Sequence, residues 1–275
     1  MRTTHEAPAE EPQPSGSPDD AGAAAPLIEA TALAHRFGEL EVIERLDLDL
    51  AAGEVVGLVG PSGCGKSTLL ELIAGLLEPS AGTVRVGGRD SAAGRLADCA
   101  YLPQRDLLLP WLAAIDNAAL APRNRGASRA EARAAAAPLF ERFGLAGFED
   151  ARPAELSGGM RQRVAFLRTL LAGKPVLLLD EPFASLDAIT RAEMQEWLAG
   201  ALATQGRSAL LVSHDVEEAL YLCDRVIVLS ARPAVGVAEL SVPSPRALPR
   251  NQTVADPAFV AQRERALWAL QEAAR

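Results

Sequence analysis

The sequence is poor in aromatic residues, lysine and cysteine, and each shortage limits the folds and the kinds of site that the chain can have. Aromatic residues make up 4% of the chain although hydrophobic residues make up 49%, so Leu, Val, Ile and Ala must fill the core. This composition favours helices packed on a sheet. The 3 cysteines are an odd number without metal-type spacing, which argues against a disulfide framework.

The charge balance is acidic, with a formal net charge of -9 at pH 7. Proteins that bind nucleic acid through a broad surface need clustered Lys and Arg, so we expect no nucleic-acid partner. Lys66 and Lys174 are the only lysines in the sequence. A lysine that stands inside a motif is therefore of special interest.

The sequence also lacks a long apolar run and a secretory signal. No window approaches the about 18 consecutive apolar residues that suffice for a membrane-spanning helix. Residues 1–26 are rich in Pro, Glu, Asp and small residues and contain no apolar signal core, so we predict a disordered tail there. Any role at a membrane then requires a partner protein.

Apolar runs of strand length alternate with helical stretches, which predicts an α/β fold. The strand-like runs are residues 54–60, 83–88, 99–104, 175–182, 208–215 and 225–230. The helical stretches are residues 128–145, with Ser128 as N-cap and Glu131 at the capping-box position, and about 190–205 and 216–223. We predict a main domain over residues 27–250, with an inserted helical subdomain at about 105–165.

The end of the chain predicts a connector followed by a helix. Residues 232–251 are rich in proline and are interpreted as a connector. Asp256 and Pro257 are typical of the N-cap and first residue of a helix, so residues 251–275 are predicted to be a C-terminal helical tail. The apolar residues of this helix expected to pack on the main domain are Val260, Leu267 and Leu270.

The stretch "GPSGCGKST" at residues 60–68 follows a β-branched run and precedes an apolar helix, the context that a phosphate-binding P-loop requires. Backbone N–H groups at the glycines can surround a β-phosphate, Lys66 can reach the β and γ oxygens, and the Ser67 hydroxyl can bind Mg²⁺. Cys64 is expected to contribute only its backbone. The predicted ATP contacts are Gly60, Pro61, Ser62, Gly63, Cys64, Gly65, Lys66, Ser67 and Thr68.

Two carboxylates follow the buried run "VLLLD" that ends at residue 180. Placed downstream of a P-loop, Asp180 can hold the metal through water, and Glu181 can polarise an attacking water. The pair therefore predicts hydrolysis of the bound nucleotide.

A second anion-binding helix start occurs in "LSGGMRQR", which begins at Leu156. A serine and two glycines before a helix direct free N–H groups and the helix dipole at an anion, but this stretch lies far from the P-loop in the chain. It is best explained if it covers the nucleotide of a second copy across a symmetric interface.

Together these motifs resemble those of ATP-binding cassette (ABC) ATPases over about residues 27–230. The resemblance implies a P-loop NTPase core with a mainly parallel sheet, flanking helices, an antiparallel β part and an inserted α-helical subdomain. It also implies that two copies enclose ATP between the P-loop of one and the signature of the other. The signature residues that would contact the partner's ATP are Ser157, Gly158, Gly159 and Met160.

The same resemblance implies roles for further residues. Phe37 would stack on adenine, Asp187 would lie at the dimer seam, and Mg²⁺ would be held by Ser67, Gln104 and Asp180. The catalytic residues it implies are Glu181, His214 and Gln104.

A separate ATPase chain without fused membrane spans is typical of bacterial ABC importers. The segment "LLPW" after Gln104 is similar to that of the importer subfamily for nitrate, sulfonate and taurine, which also includes pyrimidine-precursor transporters. The resemblance thus implies a peripheral protein on the cytoplasmic face of the membrane, with permease subunits as direct partners and a solute-binding protein as an indirect one. The residues expected to meet the permease are Leu109, Pro110 and Trp111. Import of a pyrimidine (thiamine) precursor and a non-transport ABC ATPase stay open as alternatives.

Overall fold

The computed structural model describes residues 25–243, 246 and 249–274. The predicted disordered tail lies outside these residues except for its last two. The strands are β1 (Ile28–Phe37), β2 (Leu40–Leu50), β3 (Val55–Val59), β4 (Ala81–Val86), β5 (Cys99–Leu102), β6 (Val176–Asp180), β7 (Ser208–Val212), β8 (Arg225–Leu229) and β9 (Gly236–Ser241). The helices are α1 (Lys66–Ala74), α2 (Ala92–Asp98), α3 (Ala114–Ala118), α4 (Leu120–Asn124), α5 (Arg129–Arg142), α6 (Gly158–Leu171), α7 (Ala188–Gln205), α8 (Val216–Leu222), α9 (Arg250–Thr253) and α10 (Pro257–Ala273).

The main sheet has the strand order β5-β6-β7-β3-β8-β9 within the described residues. All neighbours are parallel except β9, which is antiparallel to β8. Every residue of β3, β6 and β7 is buried, as expected for apolar runs covered on both faces of a parallel sheet. Their carboxyl ends meet at one edge, where ligands bind in open α/β sheets.

A smaller antiparallel sheet of β2, β1 and β4 lies against the first helix. Helix α1 buries Leu69, Leu70 and Ile73 in one core cluster with side chains of β1 and of β3. The helix that follows the P-loop is therefore held between the two sheets. The predicted α/β class, with its antiparallel part and helical insertion, is confirmed.

Helices α3 to α6 form the inserted helical region, which carries its own ion-pair cluster. Asp116 on α3 is bound by Arg129 at 2.6 Å and by Arg133 at 2.8 Å, both on α5. These hydrogen bonds hold the pKa of Asp116 well below its ordinary value. The helix predicted at residues 128–145 is α5, and its Ser128–Glu131 capping box is present.

Of two expectations for the end of the chain, one is wrong and the other is confirmed only in part. The segment 232–251 is not only a connector, because β9 extends the main sheet from within it. Helix α10 starts as predicted, with Asp256 as its N-cap. Of the three apolar residues expected to pack on the main domain, Leu270 is partly buried against the core, and Val260 is half-buried. Leu267 is exposed. The buried positions are Phe259, Ala266 and Ala273.

No helix in the described part of the chain is long and apolar enough to span a bilayer.

The segment before α3 is held by one fully buried asparagine. Asn117 Oδ1 accepts a hydrogen bond from the Leu109 backbone N–H at 2.7 Å. Its Nδ2 group donates to the carbonyls of Leu109, Leu112 and Ala113 at 3.1, 3.3 and 3.2 Å. One side chain thus satisfies both ends of the loop that presents the "LLPW" residues.

Replacing this asparagine with a leucine of similar volume is expected to leave the Leu109 N–H and the Leu112 carbonyl unpaired, whereas the carbonyls of Leu109 and Ala113 keep their backbone partners. Since each buried unsatisfied polar group costs about 1–3 kcal/mol, Asn117→Leu should lower the free energy of unfolding by at least that amount. Urea denaturation followed by circular dichroism measures the change, with Asn124→Leu on the exposed end of α4 as the matched control. Equal midpoints for the two variants would contradict this role of Asn117.

Candidate active site

The P-loop lies between β3 and α1 and requires glycine for steric reasons. Gly65 has φ of 122°, and a Cβ atom there would lie 2.8 Å from Val42 Cγ1, so no side chain fits. Gly65 is the N-cap of α1 and provides no side-chain hydrogen bond to the helix start. The first N–H groups of α1 therefore remain available to an anion.

A cavity of about 450 Å³ opens over this loop at the carboxyl edge of the main sheet. It brings together ten of the predicted site residues, from four separate parts of the chain. These are Phe37, Ser62, Gly63, Gly65, Lys66, Ser67, Thr68, Gln104, Asp180 and Glu181. The cavity is also lined by Leu40, Val42, Val212 and Arg232, which the sequence did not indicate. Cys64 is buried beneath the loop, with Sγ 3.8 Å from Lys66 Nζ.

Two charged side chains that line the cavity, Lys66 and Asp180, are buried. Lys66 Nζ donates to the carbonyl oxygens of Gly60 and Pro61 at 2.8 and 2.9 Å, which hold it under the loop. Asp180 is almost completely buried at the end of β6. Burial raises the pKa of Asp180 above its ordinary value, while a hydrogen bond from Ser67 and the charge of Lys66 partly oppose the rise. A buried carboxylate of this kind is suited to bind a cation.

The three predicted catalytic side chains meet at one carboxylate oxygen. Gln104 Nε2 donates to Glu181 Oε2 at 3.2 Å, and His214 Nδ1 lies 3.4 Å from the same oxygen. Glu181 has φ of 49°, a left-handed conformation that costs about 1 kcal/mol or more for a non-glycine residue. The Glu181 N–H donates to the Val212 carbonyl at 3.0 Å and helps to hold that backbone. The carboxylate is thus aimed along the cavity.

Phe37 stands half exposed at the rim of the cavity. It packs edge-on against His35, with ring centroids 4.6 Å apart at 82°. His35 is buried, and neither of its ring nitrogens has a hydrogen-bond partner among the described residues. His35 therefore supports the ring of Phe37 by packing, while His5 lies outside the described residues.

The predicted signature and seam residues do not line this cavity. Ser157 is the N-cap of α6, and its Oγ accepts a hydrogen bond from the Met160 N–H at 3.2 Å. Ser157 and Gly158 are exposed, and neither lines the cavity over the P-loop of its own chain. Asp187 caps α7 by accepting from the N–H groups of Ile189 and Thr190. Asp187 thus has a structural contact besides its predicted place at the dimer seam.

Arg232 is the charged cavity residue that the motifs did not indicate. Its Nη2 lies 3.8 Å from the position that a Cβ would take on Gly63, so the guanidinium faces the P-loop. The loop that carries it is fixed to β2, because the Ala234 N–H donates to the Val42 carbonyl at 2.9 Å. Arg232 has no hydrogen bond or ion pair with any other described residue. It follows β8, and the pairing of β8 with β3 brings it to the P-loop, so no local sequence signal indicates it.

Comparison with known proteins gives a consistent picture. The family model described as ABC transporter matches residues 43–184. The formylaminopyrimidine import ATP-binding protein ThiZ of Halalkalibacterium halodurans is 46% identical over 202 residues, which cover 74% of this chain and 78% of that protein. The aliphatic sulfonates import ATP-binding protein SsuB 1 of Rhodococcus jostii is 47% identical over 203 residues, with coverage of 74% and 79%.

Solved structures show the same architecture. The dimeric structure of a post-hydrolysis state of an ATP-binding cassette bound to ADP and Pi superimposes with a TM-score of 0.72 at 27% identity. The match covers 78% of this chain and 98% of the other. A dimeric bacterial ABC transporter cassette matches over the same shares with a TM-score of 0.70 at 28% identity.

Arg232→Ala is expected to weaken ATP binding because it removes an unpaired cation from the rim of the cavity. Loss of one solvent-accessible charge-assisted contact corresponds to a Kd about 3- to 10-fold higher. Titration with a fluorescent ATP analogue measures the Kd. Arg265→Ala, which removes an exposed arginine from α10, is the matched control, and an equal Kd for both variants would exclude a contact between Arg232 and the nucleotide.

Proposed function

The chain belongs to the ABC transporter family, and on this premise we propose that it is the ATP-hydrolysing subunit of a bacterial importer. The observation that carries the proposal is the convergence of Gln104 and His214 on the carboxylate of Glu181, beside the cavity that holds Lys66. This arrangement places a base, its two polar partners and a phosphate-binding loop around one space. Such a set serves hydrolysis of a nucleoside triphosphate.

The residues of the site would have the following roles in ATP binding and hydrolysis. The N–H groups of the P-loop and Lys66 hold the β- and γ-phosphates, and Phe37 stacks against the adenine ring. Glu181 accepts a proton from water as the water oxygen attacks the γ-phosphorus and the bond to the β–γ bridging oxygen breaks. Gln104 and His214 orient Glu181 and the water, and His214 can donate a hydrogen bond to the γ-phosphate.

The residues proposed to hold Mg²⁺ fit that ion. The Ser67 hydroxyl, the Gln104 amide oxygen and the Asp180 carboxylate are hard oxygen donors that line one cavity, and Asp180 is buried there without a full counter-charge. The ion, when bound, would neutralise charge on the phosphates.

A second copy of the chain is proposed to complete the site. Ser157 and Gly158 at this helix start are exposed and Gly159 is half-buried, and none of them lines the cavity of its own chain, so they would be free to meet the γ-phosphate of a partner's ATP. A two-fold arrangement would satisfy both copies at once. ATP then joins the two copies, and hydrolysis releases them.

Glu181→Gln tests the proposed base while preserving shape. The amide cannot accept the proton of water, so turnover should fall about a hundredfold or more while ATP binding persists. Phosphate release measures turnover, and size-exclusion chromatography with ATP should show accumulation of a dimer. A variant that hydrolyses ATP normally and stays monomeric would remove Glu181 as the base.

The proposed permease contact is the segment that Asn117 holds. Leu107 and Trp111 present large apolar side chains to solvent there, and 65% of Trp111 is exposed. Apolar side chains held on a fixed loop are typical of a docking site. We place the chain at the cytoplasmic face of the membrane, bound there to permease subunits. These subunits would receive the solute from an external solute-binding protein.

The proposed cargo is a small solute of the nitrate, sulfonate or taurine type. The similarity to the sulfonate import protein of Rhodococcus jostii, at 47% identity, supports this choice. A pyrimidine precursor is the second candidate, because the similarity to the formylaminopyrimidine import protein is 46%.

Co-purification from gently solubilised membranes of the native host tests the importer proposal. The wild-type chain should recover a multi-span permease, and Trp111→Ala should weaken that association about tenfold or more, since large aromatic residues carry much of an interface's binding energy. Trp268→Ala is the matched control because this tryptophan on α10 is 66% exposed. Recovery of soluble partners alone would contradict an importer and favour a non-transport ABC ATPase.

A further inference from the structure

The last two helices of the described chain are tied to α8 by two arginines that meet one carboxylate. Arg250 Nη2 lies 2.6 Å from Glu217 Oε1, and Arg263 Nη1 lies 3.4 Å from Glu217 Oε2. Arg250 begins α9, Arg263 lies on α10 and Glu217 is in the first turn of α8. The C-terminal segment, residues 249–274, is therefore attached to the helix that directly follows His214.

Arg250 also reaches the interior of the protein. Its Nε donates to Gln195 Oε1 at 2.7 Å, and Gln195 Nε2 donates to Glu218 Oε2 at 2.9 Å. Gln195 on α7 and Glu218 on α8 are both buried. A continuous hydrogen-bonded chain thus leads from α9 through α7 to α8.

The inner end of this chain lies at the loop that carries His214. The Ser213 hydroxyl interacts with the Glu218 carboxyl group and also accepts a hydrogen bond from the Asp215 N–H at 3.0 Å. Asp215 Oδ1 in turn accepts from the N–H groups of Glu217 and Glu218 at 2.9 and 3.3 Å. His214 therefore lies between two residues that are both fixed to the start of α8.

Glu218 is a costly residue to bury at this place. Removal from water raises the pKa of Glu218 to about 7, although Gln195, Ser213 and Arg191 oppose the rise. An apolar side chain would avoid this cost of burial. Hydrogen bonds that orient the neighbouring loop give a reason for a carboxyl group here.

We propose that Arg250 is a positioning residue for His214, acting through Gln195 and Glu218, so that the C-terminal segment sets the rate of hydrolysis. The inference rests on the proposed ATPase function only for its kinetic consequence. Its structural part concerns the orientation of one histidine ring. Without Arg250, Gln195 can rotate away from Glu218, and the loop at Ser213 loses one of its fixed points.

Magnetic resonance of isotope-labelled histidine tests the structural part in the full chain. The sequence contains 3 histidines, so His214 can be assigned from the signal that His214→Ala removes. Arg250→Ala should shift or broaden the His214 ring signals and leave those of His35 in place. Arg250→Lys, which keeps a donor, should restore much of the wild-type spectrum, and Arg265→Ala is the matched control. An unchanged His214 signal in Arg250→Ala, or equal shifts at His35, would overturn the proposal.

Steady-state hydrolysis tests the kinetic part. Arg250→Ala should lower kcat about three- to tenfold and leave the Kd for ADP unchanged, because the P-loop is not disturbed and ADP lacks the γ-phosphate that His214 would contact. In a His214→Ala background the same substitution should have no further effect, since the two residues act in one step. An equal loss of kcat in both backgrounds would show that Arg250 acts through general stability and would overturn the proposal.

The two measurements separate this inference from the proposed function. Absence of ATP hydrolysis by the wild-type chain would contradict the proposed function. The histidine spectrum still decides whether Arg250 positions His214, because it requires no turnover.

Discussion

The parallel pairing of β3 with its two neighbours is the interaction on which the rest of the structure depends. Val59 of β3 is in register with Val228 of β8, and Leu58 with Val212 of β7, which also pairs with Asp180 of β6. Parallel strands end at the same edge, so this register delivers the P-loop, the two carboxylates and the histidine loop to one place. A slip of one residue would turn alternate side chains to the other face and disperse the site.

The polar groups of the site survive burial because each has a partner. Lys66 is held by two carbonyl oxygens, and Asp180 is partly compensated by Ser67 and Lys66. Glu181 occupies an unfavourable backbone conformation that its hydrogen bond to the next strand helps to maintain. Burial of the largely apolar strands behind the site offsets the free-energy cost of this conformation.

Two attached parts of the chain are fixed to this core by buried polar side chains. Asn117 holds the loop that carries Trp111, and Gln195 with Glu218 joins the C-terminal segment to the loop of His214. Apolar packing alone can hold such parts in place but does not define one orientation as strictly as hydrogen bonds do. The first attachment fixes the proposed permease contact, and the second fixes the loop that lies beside the nucleotide cavity.

The sequence by itself determined the α/β class, the P-loop, the carboxylate pair and the cap of α10, because these features depend on local patterns. Apolar runs predict strands, and glycine spacing or an Asp-Pro pair predicts a backbone conformation without reference to distant residues. The contact between Gln104 and Glu181 was available only through resemblance, since 77 residues separate them. Tertiary structure alone decided the strand at Gly236–Ser241 and the place of Arg232. A weak edge strand is stabilised by pairing with its neighbour. The role of a single arginine can be recognised only after folding has brought it to the phosphate loop.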